Sequence, residues 1–123
     1  MRHVVTESDT ATTVGSGDVP VLATPRLIAW MEAATMEAAA PFVGAGRTTV
    51  GTAVRIRHLC ASRVGELVEV TAQSPSTADG RRLTFPVQAV DGSGNLIATG
   101  EIDRAVVDRE RFLAAVPAPA AGR

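Results

Sequence analysis

Three polar side chains fall within or beside apolar segments and have the chemistry to act together. Glu32 has Ile28, Ala29, Thr35 and Met36 three and four positions away, its neighbours on a helix surface. If those neighbours are covered, the carboxylate loses hydration. Its pKa then rises, and it becomes a usable base or nucleophile near neutrality. On an uncovered face the same glutamate is simply solvated. Thr24 stands immediately before Pro25, where a helix can begin. Its hydroxyl can cap the first turn, which is worth about 1 kcal/mol. It can also share the helix end with free amides that stabilise a developing oxyanion, and the two roles are compatible. His58 lies on an alternating run in which Val50, Thr52, Val54, Ile56, His58 and Cys60 share one face and Arg55 and Arg57 the other. It reads either as a core histidine held by one backbone bond or as a proton-transfer group facing the same interior as Glu32.

Other polar residues carry weaker signals. Arg104 shares an alternating face with Leu96, Ala98, Ile102 and Val106, and an inward arginine needs a partner such as a carboxylate or a phosphate. Cys60 shares the face of His58 and is expected to act as a small buried hydrophobe. Glu37, near the helix end, is expected to be solvated. Gly15-Ser16-Gly17 and Gly92-Ser93-Gly94 match no phosphate-cradling fingerprint and read as turns. Arg81-Arg82, Arg55 and Arg57 are either solvated or placed to meet an anionic cofactor near a rim. With only His3, His58 and Cys60 as soft ligands, a Cys/His structural zinc site is out of reach, and no metal is expected. All twelve basic residues are arginine, which excludes a Schiff-base lysine.

The elements that must position these groups follow from the pattern. Residues 24–43 read as one long helix, capped by Thr24 and ended by Gly44-Ala45-Gly46. Leu27, Ile28, Trp30, Met31, Ala34, Met36 and Ala38 to Ala40 cover nearly its whole circumference, as in a helix wrapped by other elements. Four strands follow, over residues 48–60, 66–76, 82–91 and 95–107, divided by short turns that join antiparallel neighbours. The polar stretch 6–18 reads as a short strand running into a loop. The result is an α+β domain over residues 1–116, one long helix against a curved antiparallel sheet, with a flexible tail over 117–123. Its unpaired sheet edges suggest a homodimer.

Composition narrows the partners. A chain of 123 residues with formal charge −1 lacks the basic excess of a nucleic-acid or anionic-membrane binder. At 3% aromatic residues and no tyrosine, a base-stacking surface is not expected either. No stretch is long and apolar enough to span a membrane, and no apolar signal core appears at the N-terminus. One cysteine cannot form an internal disulfide, so a reducing, cytoplasmic setting is expected.

Thr24-Pro25, Glu32 eight residues later, Val50-Gly51-Thr52-Ala53 and then His58 together resemble the fluoroacetyl-CoA thioesterase family of hotdog-fold proteins. The resemblance runs from Val19 to Phe112 and takes in Arg104-Ala105-Val106-Val107. It implies hydrolysis of a short acyl-CoA, with Thr24 and Glu32 handling nucleophilic attack and His58 assisting proton transfer. It also implies that Gly51 leaves room beside the acyl group, that Arg104 is a substrate-site residue, and that CoA enters as part of the substrate with no separate cofactor. Fluoroacetate-specific members carry lid phenylalanines just before the threonine. Here Ser16-Gly17-Asp18-Val19-Pro20-Val21 has none, so a broader or different acyl group is expected. A non-catalytic acyl-CoA-binding module and a hotdog hydratase or dehydratase are the alternatives.

Overall fold

A computed structural model describes residues 1–120. In chain order it contains β1 (Arg2–Val4), α1 (Ala11–Val14), α2 (Thr24–Ala39), β2 (Arg47–His58), β3 (Leu67–Ala72), β4 (Thr77–Asp79), β5 (Arg82–Asp91), β6 (Leu96–Asp108) and α3 (Arg109–Ala115). The strands form one antiparallel sheet in the order β1-β3-β5-β6-β2, with β4 paired to β5 off this path. Alternation builds its inner face. Val68 and Val70 of β3, Leu83, Phe85 and Val87 of β5, and Ile102 of β6 are buried against Leu27, Met31 and Ala34 of α2. No helix among the described residues is long and apolar enough to cross a membrane.

Several expectations change in the structure. The long helix stops at Ala39, and Ala40–Phe42 continues as a 3-10 turn, because Pro41 cannot extend the helical hydrogen bonds. Its apolar circumference is not fully wrapped. Leu27, Met31, Ala34, Thr35 and Ala39 form one buried stripe, while Ala29, Ala33, Met36 and Ala40 are exposed. Residues 6–18 form a 3-10 turn (Glu7–Asp9) and the short α1 rather than a strand, with Thr10 capping α1 through its hydroxyl. The strand expected over 66–76 ends at Ala72, ahead of Pro75, and β4 follows separately. Helix α3 has a signal in Asp108, whose carboxylate accepts the Arg111 N–H at 2.9 Å. Residues 117–120 have no regular secondary structure; the rest of the expected tail, 121–123, lies outside the described residues.

The largest change concerns β2. Gly51 pairs with Arg104 and Ala53 with Asp103, which leaves Thr52 as the extra residue of a β-bulge. The bulge shifts the alternation, so Thr49 and Gly51 point inward before it, and Ile56 and His58 point inward after it. Val50 and Thr52 therefore leave the face on which simple alternation placed them. Gly100 lies opposite Ile56, and any side chain there would collide with the Arg55 carbonyl oxygen.

Candidate active site

Thr24 is the first residue of α2 and not its cap. Ala23 occupies the N-cap position with extended backbone angles and makes no side-chain cap bond. The Thr24 hydroxyl is thus released from capping, and its Oγ1 lies 2.8 Å from Nδ1 of His58. His58 is held in place by the end of β2, where the N–H groups of Leu59 and Cys60 both donate to the Ile97 carbonyl, at 2.7 and 3.3 Å. Burial lowers the His58 pKa below 6.5, and the Cys60 backbone partly opposes this. Its Nε2 is buried without a hydrogen-bond partner of good geometry. A neutral imidazole with a hydroxyl on Nδ1 is equipped to take a proton from that hydroxyl or from a water held beside it.

Glu32 sits in a second cluster. Its Oε2 is 3.5 Å from Nη1 of Arg104, and its side chain remains 40% exposed. The expected loss of hydration is therefore incomplete, and the carboxylate faces a cation rather than an apolar wall. Arg104 is buried, as its inward register required. Its Nε donates to Thr49 Oγ1 at 2.8 Å and its Nη2 to the Thr49 carbonyl at 3.1 Å. Desolvation lowers the guanidinium pKa and Glu32 opposes that shift; the group stays charged. Gly51 completes the cluster, since a Cβ at this position would stand 2.6 Å from Glu32 Oε2. The carboxylate occupies space that only glycine leaves open. Thr49 was not singled out in the sequence because the bulge at Thr52 alone turns it inward.

The chain thus brings Thr24 to His58, and Glu32 to Gly51 and Arg104, but it keeps the two clusters apart. Eight residues of helix separate Thr24 from Glu32, a rise of about 12 Å. Beside the first cluster lies a cavity of about 370 Å³, lined by Thr24, His58, Val19, Leu22, Leu59 and Ala61 among others. Cys60 also lines it and is exposed, contrary to its expected burial, because regular alternation ends with β2 at His58. Glu37 is exposed as expected. Arg55 on the outer face is committed to a bidentate pair with Asp103, at 2.8 and 3.0 Å, and to Glu101, so it is not a free anion contact. The same pair holds the Asp103 carboxyl down, to about 2.

One long helix laid across a curled antiparallel sheet, with ionisable groups on the helix and on the strand facing it, defines a hotdog-fold thioesterase. A crystal structure of a fluoroacetyl-CoA-specific thioesterase variant with fluoroacetate and CoA superposes with a TM-score of 0.84. It has 32% identity, covering 93% of this chain and 92% of that one. A hypothetical protein of the thioesterase superfamily from Thermus thermophilus gives 0.85 at 30% identity, covering 93% and 83%. In sequence, a fluoroacetyl-CoA thioesterase from Streptantibioticus cattleyicolor is 40% identical over 96 residues, 78% of this chain and 68% of that protein. The chain belongs to the fluoroacetyl-CoA-specific thioesterase family, whose pattern it matches over residues 5–110. The fold and the enzyme class implied by the sequence, a thioester hydrolase, both hold.

Proposed function

We propose that this protein hydrolyses acyl-CoA to the free acid and CoA at a centre built from Thr24, Glu32 and His58. The observation that carries the reading is the pairing of a neutral, half-buried imidazole with a free hydroxyl at 2.8 Å, together with a carboxylate fitted over Gly51 in the second cluster. Attack on the thioester carbonyl is made by water, or by a side-chain oxygen whose acyl-enzyme a water then hydrolyses to release the acid. The tetrahedral oxyanion is met by donors at the α2 N-terminus, and collapse breaks the C–S bond and expels the CoA thiolate. His58 relays the proton, first accepting it and then returning it to the leaving sulfur. Arg104 positions Glu32. The reaction consumes one water and needs no separate cofactor, CoA being part of the substrate.

A second copy closes the separation of about 12 Å. β2 is a twelve-residue strand at the open edge of the sheet. An antiparallel homodimer paired along β2 runs the His58 end of one strand towards the Gly51 end of the other, and so brings His58 towards Glu32 of the partner subunit. Each centre then takes Thr24 and His58 from one protomer and Glu32, Gly51 and Arg104 from the other. The unpaired Cys60 is consistent with a cytoplasmic setting.

The acyl group is broader than a two-carbon unit. Support comes from the cavity beside Thr24, about 370 Å³, whose lining includes Val19, Val21, Leu22 and Leu59 and no phenylalanine. The test is a panel of acetyl-, fluoroacetyl-, butyryl- and branched acyl-CoAs with free thiol followed in time. Turnover favouring the four- and five-carbon substrates, and lost in Glu32→Gln, is expected. No turnover on any member, or unchanged turnover in Glu32→Gln, removes the reading.

A further inference from the structure

A second cavity, of about 380 Å³, opens at the far end of β2 and β6, where α3 folds back against the sheet. Arg47, Arg81 and Arg111 converge on it, with Phe112, Val106 and Asp108. None of the three guanidiniums has an ion-pair or side-chain hydrogen-bond partner among the described residues, unlike Arg2, Arg26, Arg55 and Arg104. Asp108 brings one negative charge against three positive ones and makes no ion pair with them among the described residues; its carboxylate caps α3 through the Arg111 N–H. In a chain of net charge −1, three free arginines around one concavity concentrate positive potential where an anion can be held by several forked donors. Backbone bonds fix the corner: Val106 N–H donates to the Arg81 carbonyl at 2.8 Å, and Arg109 N–H to Gly46 at 3.0 Å. Phe112 lies at the rim, 44% exposed, and offers a flat apolar face.

We infer that this corner binds the phosphorylated adenosine head of the substrate, with the arginines on its phosphates and Phe112 against the purine. The choice of ligand rests on the thioesterase reading above. The spacing supports it. Four residues of β2 separate Gly51, beside Glu32, from Arg47, a distance of about 13 Å that an extended pantetheine arm can bridge. A shallower depression lies along that path, lined by Met36, one turn after Glu32, by Thr49 and by Arg47, which it shares with the corner. The corner is removed from Thr24 and His58, so it contributes to recognition rather than to bond cleavage.

The test compares an acyl-CoA with the same acyl group on N-acetylcysteamine, which lacks the nucleotide, in wild type and in Arg47→Glu/Arg111→Glu. The account expects KM for the acyl-CoA to rise about 100-fold, near tenfold per arginine, with kcat and the truncated substrate unchanged. Adenosine 3′,5′-bisphosphate should compete with the acyl-CoA, and calorimetry should show its binding weakened by the same factor in the variant. An unchanged KM for acyl-CoA, or equal losses on both substrates, overturns the inference while leaving the thioesterase reading intact. Inhibition that is not competitive with acyl-CoA also overturns it, since it points to a separate nucleotide site. If wild type cleaves neither substrate, the thioesterase reading fails, and calorimetry with the bisphosphate still decides whether the corner binds it.

Discussion

Adding one methyl group at Gly51 tests the geometry around Glu32. In Gly51→Ala the new Cβ would lie 2.6 Å from Oε2, whereas ordinary contact begins at 3.4 Å, so the carboxylate must retreat by about 0.8 Å. The Arg104 guanidinium, at 3.5 Å from the new carbon, need not move. Glu32 can retreat cheaply, because its side chain is flexible and 40% exposed. Stability should therefore change by no more than about 1 kcal/mol, and the methyl even removes some unfolded-state freedom. Catalysis should respond differently, because a misplacement near 1 Å in a reacting constellation costs about 10²-fold. Free-thiol release from an acyl-CoA should fall by about that factor in kcat, while circular dichroism shows an unchanged fold and a Tm within a few degrees. The double variant Gly51→Ala/Glu32→Gln should be no slower than Glu32→Gln alone, since both changes disable the same group. Activity within twofold of wild type in a folded Gly51→Ala protein would refute the placement of Glu32 in the reaction.

Further outcomes follow from other contacts. Gly100→Ala should unfold or severely destabilise the protein, by about 3 kcal/mol or more, because its Cβ overlaps a backbone carbonyl that cannot move aside; thermal melting checks this. Thr24→Val removes the hydroxyl on His58 and should lower kcat by about 10²–10³-fold with little change in Tm, as read from the same thiol assay. The acid limb of the pH–rate profile should have its midpoint below 6.5, since burial depresses His58 and the proposed reaction uses its neutral form; a midpoint above 6.5 contradicts the assignment. Stability follows the same shift. The unfolded imidazole takes up its proton near 6.5 and the folded one only at lower pH, so stability falls as pH drops below 6.5 and levels off under the folded value. His3 contributes in the same window, and His58→Gln should flatten only part of the slope in melts between pH 7.5 and 5.

Much of this arrangement was legible in the sequence because local rules decide it. Pro25 and the apolar spacing announce the long helix, and the turns at Asp79-Gly80 and Asp91-Gly92 separate the strands. Glu32, Thr24 and His58 stood out because each is polar in an apolar or helix-start context. The misreadings arose where non-local geometry overrides period. A bulge at Thr52 has no composition of its own, yet it turns Thr49 inward, where it holds Arg104. Cys60 follows an alternation that ends two residues before it. The gap between Thr24 and Glu32 was implicit in their spacing of eight, since eight helical residues rise about 12 Å.

Complementation between two inactive variants tests the central claim, that the two polar clusters are halves of one thioester-cleaving centre. Protomers carrying His58→Ala and protomers carrying Glu32→Gln are prepared separately, each as an inactive homodimer, and then mixed and re-equilibrated. A mixed dimer has one doubly altered centre and one centre in which both His58 and Glu32 are native. With half of the dimers mixed, activity should return to about a quarter of wild type. Recovery to that level supports the shared centre. A mixture of demonstrated heterodimers that remains as inactive as its parents contradicts it.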